Sequence, residues 1–147
     1  MKISYATIII CIKMATLVKA VIEKCSYGYS VYIADECVNY GLLGEGKTVS
    51  EAMEDFKLSY EEMKESYKNE ERYFEEAEFE FYFDIASFLQ MYAFAFTLAG
   101  LERITGVNQK QLGHYINGVR KPSKRTIEKI ESGLKKFSNE LSAVKFA

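Results

Sequence analysis

The amino-acid sequence predicts an α+β fold, in which a small β-β-β-α-β unit is followed by an all-helical unit. Within the first 84 residues, short segments of alternating apolar and polar residues flank one long amphipathic stretch, whereas residues 98–117 have the spacing of two short helices joined by a turn. Residues 1–100 contain 9 Lys and Arg against 17 Asp and Glu, a net charge of −8, while residues 101–147 contain 10 against 4, a net charge of +6. We therefore expect two units of opposite charge that meet after residue 84.

Four strands are predicted in the first unit. Residues 16–23 are rich in β-branched side chains, and residues 29–35 alternate along the chain, with a hairpin turn at Tyr27-Gly28 between them. A third short strand is expected near residues 40–44. Residues 78–84 alternate phenylalanines with polar neighbours, which predicts the fourth strand.

A long helix is predicted between the third and fourth strands. Thr48 and Glu51 have the spacing of a capping box, in which both side chains accept hydrogen bonds from backbone N–H groups at the helix start. An apolar stripe with a 3.6-residue period continues along the helix, at Val49, Met53, Phe56, Tyr60, Met63 and Tyr67. We expect this stripe to pack on one face of the sheet, as core rather than as a ligand site.

Residues 98–117, LAGLERITGVNQKQLGHYIN, predict a helix-turn-helix. Gly106 provides the turn, and Asn108 is expected to cap the second helix while Gln111 reaches back to complete a capping box. Apolar residues at helical spacing on both sides of the turn predict a shared core, at Leu98, Leu101, Ile104, Leu112, Tyr115 and Ile116. Glu102 departs from the usual pattern, because such motifs commonly carry a small residue there. The alternative is a compact helical hairpin with a solvated polar face.

The outward face of the second predicted helix suits DNA. It has no apolar residue and consists of Gln109, Lys110, Gly113, His114 and Asn117. Amide, cationic and imidazole donors of this kind can contact base edges and phosphates in a major groove. A basic segment around Pro122 follows, which we expect to contact flanking phosphates. The predicted DNA-binding residues are Asn108, Gln109, Lys110, Gln111, His114, Asn117, Arg120, Lys121, Lys124 and Arg125.

The C-terminal residues predict a helix with an apolar seam of the coiled-coil type. The seam alternates steps of three and four residues, at Ile127, Ile130, Leu134, Phe137, Leu141 and Val144. Its first half can cover the core of the helix-turn-helix. Its second half can pair with another copy, which would give a homodimer or higher homo-oligomer and set the spacing of two recognition helices. The alternative is packing within the chain against Phe88, Met91 and Phe94.

Residues 41–48, GLLGEGKT, match the phosphate-binding pattern GxxxxGK[ST]. A nucleotide site there would use Gly41, Gly46, Lys47 and Thr48. Such a site also needs a buried parallel strand directly before Gly41 and an acidic metal partner, for which Asp84 is the candidate. Residues 38–40 are too short and too polar for that strand, and a glycine-rich turn leading into a capped helix explains the same residues. Nucleotide binding is therefore the weaker alternative.

Catalytic, metal-binding and membrane functions are not expected. The sequence offers no Ser/His/Asp set, and the carboxylates of Asp35, Glu36 and Glu51 give no sign of a shared pocket, so we do not interpret the protein as an enzyme. Three cysteines without CxxC spacing and the single histidine, His114, predict no metal and no cofactor, with reduced thiols in the cytoplasm. No apolar run approaches transmembrane length.

Residues 1–13 place an apolar run behind a lysine, without a convincing cleavage site for a signal peptide. We expect them either to derive from an upstream start codon, as a non-native extension, or to form an extra edge strand. The better-patterned sequence begins at Met14.

Three segments resemble the HicB-type antitoxins of bacterial toxin-antitoxin systems. They are VIEKCSYGYSVYIAD, GEGKTVSEA and ITGVNQKQLGHYINGVRKPS, and the resemblance covers nearly the whole chain from Met14. It implies a partial RNase H-like fold for residues 14–84, which binds and masks a small basic RNA-cleaving toxin, HicA. It also implies a helix-turn-helix domain at residues 85–147, which represses the shared operon. Many family members carry a proline-rich strand ending near Asp35, which this chain lacks.

Three functions are left open: a DNA-binding antitoxin, a stand-alone transcriptional regulator whose first unit senses another ligand, and a small nucleotide-binding protein. The charge division favours the first, because an acidic unit repels nucleic acid and attracts a basic protein. The acidic runs are alternatively plain solvated faces. The expected partners are double-stranded operator DNA, a small basic toxin and a second copy of the chain, with no membrane.

Overall fold

The structure, a computed structural model, describes residues 15–147. Its elements are β1 Thr16–Cys25, β2 Gly28–Ile33, β3 Leu43–Gly46, α1 Val49–Asn69, β4 Ala77–Phe83, α2 Ile85–Met91, α3 Leu98–Thr105, α4 Gln109–Ile116 and α5 Lys124–Ser142. The predicted α+β class and the β-β-β-α-β order are confirmed. None of these helices is long and apolar enough to cross a bilayer. The alternatives for residues 1–13 lie outside the described residues.

The four strands form one sheet in the order β3-β2-β1-β4. β1 and β2 are an antiparallel hairpin with Cys25 opposite Gly28, and β2 pairs antiparallel with β3. β4 returns beside β1 and runs parallel to it, with Thr16 opposite Ala77. A parallel pair needs a long crossover, which here includes the whole of β2, β3 and α1.

Helix α1 covers one face of the sheet. Thr48 caps it as predicted, because its hydroxyl accepts a hydrogen bond from the Glu51 N–H at 3.2 Å. The Glu51 carboxylate accepts from the N–H of Lys47 at 2.8 Å. Phe56 is fully buried, with its ring in edge contact with those of Phe79 and Phe81 on β4. The buried core between helix and sheet consists of Ala20, Ile22, Val31, Tyr40, Leu42, Ala52, Phe56 and Tyr67.

Strand β3 and helix α1 are in close contact because two residues of β3 lack side chains. A Cβ atom at Gly44 would lie 2.5 Å from the carbonyl oxygen of Ala52 and closer still to the backbone nitrogen of Phe56. At Gly46 it would lie 2.5 Å from the Cβ of Glu51. The strand expected at residues 40–44 lies further along the chain, at Leu43–Gly46. Residues 38–42 form a loop instead, in which Tyr40 and Leu42 are buried.

Helices α2 to α5 enclose a second apolar cluster. Asp84 follows β4 directly and caps α2, since its carboxylate accepts from the N–H of Ser87 at 3.0 Å and from its hydroxyl at 2.9 Å. The hydroxyl oxygen of Ser87 in turn accepts from the N–H of Lys24 at 2.8 Å, which ties α2 to the end of β1. The buried members of this cluster are Leu89, Leu101, Val107, Leu112, Tyr115 and Ile130.

Helix α5 packs against the other helices as far along as Phe137. Ile130 is buried, and the ring of Phe137 lies 6.3 Å from that of Phe96. A Cβ atom at Gly133 would lie 2.6 Å from the carbonyl oxygen of Ile104, so the backbones of α5 and α3 are in close contact. The helix ends at Ser142, so the predicted seam position Val144 lies beyond it. Phe94, expected as an alternative partner of the seam, is instead 85% exposed.

Candidate nucleic-acid interface

The turn between α3 and α4, at residues 106–108, is held by contacts from both sides. Gly106 adopts a left-handed conformation with φ of 68°, which favours glycine. Its carbonyl oxygen accepts a hydrogen bond from the ammonium of Lys129 on α5 at 2.7 Å. The hydroxyl of the buried Thr105 accepts from the N–H of Val107 at 3.2 Å. The angle between the two helices is therefore set by α5 as well as by the turn.

Two side chains cap the start of α4. Asn108 caps it as predicted, with its side-chain oxygen accepting from the N–H of Lys110 at 2.9 Å. The second cap comes from α3, where the carboxylate of Glu102 accepts from the N–H of Gln109 at 3.1 Å and from the side-chain amide of Asn108 at 3.3 Å. The residue that departs from the usual motif thus satisfies donors at the start of the second helix.

The predicted capping box with Gln111 is wrong. The side-chain amide of Gln111 donates instead to the hydroxyl of Tyr115 at 2.6 Å, one turn further along α4. Gln111 thus pairs with its i+4 neighbour on the same helix and does not reach back to the helix start. A second expectation also needs correction: Gly113, placed on the outward face, is half-buried and faces Leu98.

All ten predicted DNA-binding residues are exposed. The opposite side of α4 is buried through Leu112 and Tyr115, as the helical spacing predicts. The structure therefore brings an exposed polar face of one short helix into one region with a basic loop. The contact of these residues with DNA stays a prediction.

The basic segment continues from the end of α4 into α5. Gly118 has φ of 69° and redirects the chain, and Arg120 and Lys121 lie in the loop that follows. Lys124 and Arg125 form the first turn of α5, which contains no acidic residue. Since the start of a helix already carries a positive partial charge, cations there strengthen a potential that attracts anions.

The phosphate-loop match at residues 41–48 has a different structural explanation. Its central residues form the edge strand β3, and Thr48 and Glu51 accept the hydrogen bonds of N–H groups at the start of α1 that would otherwise face an anion. Residues 34–42 contain no strand, so a parallel strand does not precede Gly41. Asp84, the expected metal partner, caps α2. Nucleotide binding at Lys47 stays an untested alternative.

A cleft of about 480 Å³ lies between the sheet and the helical region. Its sheet side includes Lys19, Tyr32 and Tyr82, and the opposite side includes Arg120 and Lys121. Sequence reasoning missed it, because three strands and a distant loop supply its residues and no local pattern connects them. Burial, with the nearby Glu23 carboxylate, raises the pKa of the Tyr32 hydroxyl.

Within residues 15–147, no group of three or more His, Cys, Asp and Glu side chains is arranged to hold a metal ion. Cys25 and Cys37 carry exposed free thiols. Comparison with protein-family models, with curated proteins and with solved structures gives no match for this chain. Its function is therefore inferred from the geometry of these regions.

Proposed function

We propose that this protein is a DNA-binding antitoxin of the HicB type. Helices α3 and α4 act as a helix-turn-helix that represses the operon encoding the protein, and residues 14–84, as a partial RNase H-like domain, bind and neutralise a small basic RNA-cleaving toxin in the cytoplasm. The proposal assigns the chain no catalytic step and no cofactor. The observation that carries it is the exposed polar face of α4 beside an exposed basic loop, both held by one buried helical core.

DNA contact is supported by two kinds of side chain at separate places in this interface. Gln109, His114 and Asn117 offer hydrogen-bonding groups suited to base edges, whereas the loop and the start of α5 offer cations suited to phosphates. The double cap at the start of α4 and the Lys129 bond to Gly106 hold the helix in a fixed position before DNA arrives. A rigid recognition helix loses less entropy on binding.

A basic protein partner is supported by charge. Residues 1–100 carry a net charge of −8, against +6 for residues 101–147. DNA therefore approaches the helical region, and a basic protein is attracted to the sheet region. A homodimer is supported by the exposed apolar side chains of Leu141 and Phe146 at the distal end of the chain.

Binding to duplex DNA from directly upstream of the protein's own gene tests the proposal. Fluorescence anisotropy across a salt series, with random duplex as competitor, should show selective binding. Gln109→Ala and Asn117→Ala should reduce the selectivity, while Arg120→Ala and Lys121→Ala should weaken binding to both duplexes and each lower the salt slope by about 1. Lys57→Ala, which removes an exposed cation from α1, is the matched control. Absence of selectivity, or identical behaviour of the two classes of variant, would contradict the proposal.

A stand-alone regulator that senses a ligand is the second candidate. The cleft of about 480 Å³ favours it, because its volume falls in the range of small-molecule sites and the basic loop lines it. Gene context separates the two functions. A neighbouring gene for a short basic protein supports the antitoxin, and its absence supports the regulator.

A further inference from the structure

One face of the sheet is not covered by α1. Along β1, Val18, Ala20 and Ile22 point to α1 and are buried, so the alternate positions point to the opposite side. We call this opposite side the open sheet face, and it includes Lys19, Glu23, Tyr32, Glu78, Glu80 and Tyr82. Its residues belong to three adjacent strands, so the side chains lie on one continuous surface.

The open sheet face combines apolar area with negative charge. Leu17 is 60% exposed and Tyr82 is 45% exposed, and both lie on this face, on adjacent strands. Three carboxylates, those of Glu23, Glu78 and Glu80, stand against the single ammonium of Lys19. This surface therefore complements a partner that carries both apolar and basic side chains.

The ring of Tyr82 already contacts a cation of this chain, as it would contact a basic side chain of a partner. The ammonium of Lys19 lies 4.8 Å from the centre of its ring. Its hydroxyl donates to the carboxylate of Glu80 at 2.7 Å, which places a negative charge at the edge of the same ring. An aromatic face beside a carboxylate is a favourable site for an arginine or lysine head group.

The outer face of α1 is acidic too, with six carboxylates against three ammonium groups along the helix, and two ion pairs lie beside it. Lys64 pairs with Glu76 at 2.8 Å, and Arg72 pairs with Glu70 at 3.0 Å. Lys68 lies between them on the same side of the helix. The ring that contacts Arg72 beside α1 is that of the buried Tyr67. Tyr82, in contrast, is 45% exposed, so an exposed ring beside a carboxylate distinguishes the open sheet face.

We propose that the open sheet face is the docking surface for the basic protein partner, with arginine or lysine side chains of the partner on the rings of Tyr32 and Tyr82. This inference rests on the proposed function and locates its partner surface. Because the cleft beside this face is bounded by Arg120 and Lys121, a docked partner also contacts the loop assigned to DNA phosphates. Partner binding and DNA binding then share one structural element.

Amide chemical shifts of the isotope-labelled full chain test the location. The probe is a synthetic peptide of three alternating Arg-Leu pairs, added at physiological salt. Saturable shifts are expected on β1, β4 and the loop at residues 118–121, with the outer face of α1 unaffected. Shifts centred on α1, or no binding to the full chain, would overturn the proposal.

Matched variants test the chemistry. Glu23→Gln with Glu80→Gln should weaken peptide binding about fivefold, because two surface charge interactions are lost. Glu61→Gln with Glu65→Gln removes the same charge from α1 and should change the affinity less than about twofold. Equal losses in both pairs would show unspecific attraction and refute a defined surface.

The ring of Tyr82 is tested separately. Tyr82→Leu should weaken binding and Tyr82→Phe should retain it, because a cation contacts the ring rather than the hydroxyl. Tyr27→Leu, at the exposed hairpin turn, is the control and should leave the affinity unchanged. Equal effects of Tyr82→Leu and Tyr27→Leu would count against the ring contact.

The outcomes are separable from those of the DNA experiment. Selective DNA binding together with peptide shifts on α1 would reject the docking surface and leave the repressor function intact. Peptide shifts on the open sheet face without selective DNA binding would support the surface and reject the repressor function.

Discussion

The sheet region, residues 15–83, and the helical region, residues 84–147, are stabilised by contacts between residues at different separations along the chain. In the sheet region the decisive contacts join distant residues, such as the parallel pairing of β1 with β4 and the stacking of Tyr40 on Phe74 at 4.7 Å between ring centres. In the helical region many contacts are local, such as the Thr97 cap of α3 at 3.0 Å and the Asn108 cap of α4 at 2.9 Å. Short patterns therefore predict the helical region more completely than the sheet region.

Glycines show the same contrast. In the sheet region, Gly44 and Gly46 are required because backbone atoms of α1 occupy the space of a side chain. In the helical region, Gly106 and Gly118 are required by positive φ angles within turns. A positive φ at a helix end has a local signature in the sequence, whereas close packing against a distant helix does not.

The largest expected effect is that of Gly44→Ala. Its Cβ would meet the backbone of Ala52 and Phe56, which cannot move without shifting α1 from the sheet, so we expect a loss of about 3 kcal/mol in the free energy of unfolding. Urea unfolding followed by circular dichroism measures it. Gly41→Ala meets no atom within 4 Å and should change stability by less than about 0.5 kcal/mol. Similar values for both variants would refute the close contact of β3 with α1.

Gly133→Ala tests the corresponding contact in the helical region. Its Cβ would lie 2.6 Å from the carbonyl oxygen of Ile104, and we expect a loss of about 2 kcal/mol. Gly113→Ala, in contrast, meets only Leu98 at 3.7 Å. Since alanine favours helix, this second variant should stabilise the protein by roughly 0.5 kcal/mol. The thermal midpoints of the two variants should move in opposite directions, and movement in the same direction would contradict the packing of α5 on α3.

Tyr40→Phe tests the buried hydroxyl group within the aromatic core of the sheet region. The hydroxyl donates to the carbonyl oxygen of Glu75 at 2.8 Å, so its removal should cost about 1 kcal/mol at neutral pH. Burial, followed by the neighbouring Tyr60, raises the pKa of Tyr40. The folded protein therefore keeps this proton to higher pH than the unfolded chain does. The contribution is complete below about pH 10 and is lost as the pH rises beyond it.

Urea unfolding between about pH 9 and about pH 11 measures this pH dependence. The wild-type protein should lose stability more steeply than Tyr40→Phe across this interval. Tyr27→Phe is the control, because its side chain is 93% exposed. A wild-type slope equal to that of Tyr40→Phe would exclude Tyr40 as the source.

Glu102→Ala should have a smaller effect, a loss of roughly 0.5 kcal/mol, because Asn108 still caps α4. The double variant Glu102→Ala with Asn108→Ala should lose less than the sum of the two single variants, because either single variant already removes the hydrogen bond between the Asn108 amide and the Glu102 carboxylate. Thermal unfolding of the four proteins measures the coupling. Strict additivity would mean that the two caps act independently.

Lys47→Ala should have the smallest effect, a change in stability close to zero, because the described structure assigns the Lys47 side chain no hydrogen bond or ion pair. Millimolar Mg-ATP should leave the thermal midpoint of both proteins unchanged. A rise in the thermal midpoint with Mg-ATP that disappears in Lys47→Ala would support the phosphate-loop alternative.

Much of the candidate interface could be predicted from local patterns. The spacing of Leu112 and Tyr115 identified the buried side of α4, and Asn108 identified its start. The second cap could not be predicted, because Glu102 lies on the preceding helix and its distance from Gln109 depends on the angle of the turn. Lys129, which holds that turn, is supplied by α5, and no short-range pattern connects it to Gly106.

In the sheet region, periodicity identified the strands and the long helix, because burial on one side of a strand or helix imposes a repeat on its own residues. It did not identify the strand order, the parallel pairing of β1 with β4 or the shift of β3 to Leu43–Gly46. These depend on how Tyr40, Phe56 and Phe74 fill the space between layers.

The linear order of residues therefore established most of the elements and their buried sides, the helix starts at Thr48 and Asn108 and the opposite charges of the two regions. It established neither α2 nor the bounds of β3. The packed chain established which residues meet: Glu102 with Gln109, Lys129 with Gly106, and Tyr82 with Lys19 beside the basic loop. The physical reason is the distance along the chain over which each effect acts. Propensity, periodicity and capping act over a few residues, whereas pairing, close packing and clefts depend on the positions of segments far apart in the chain.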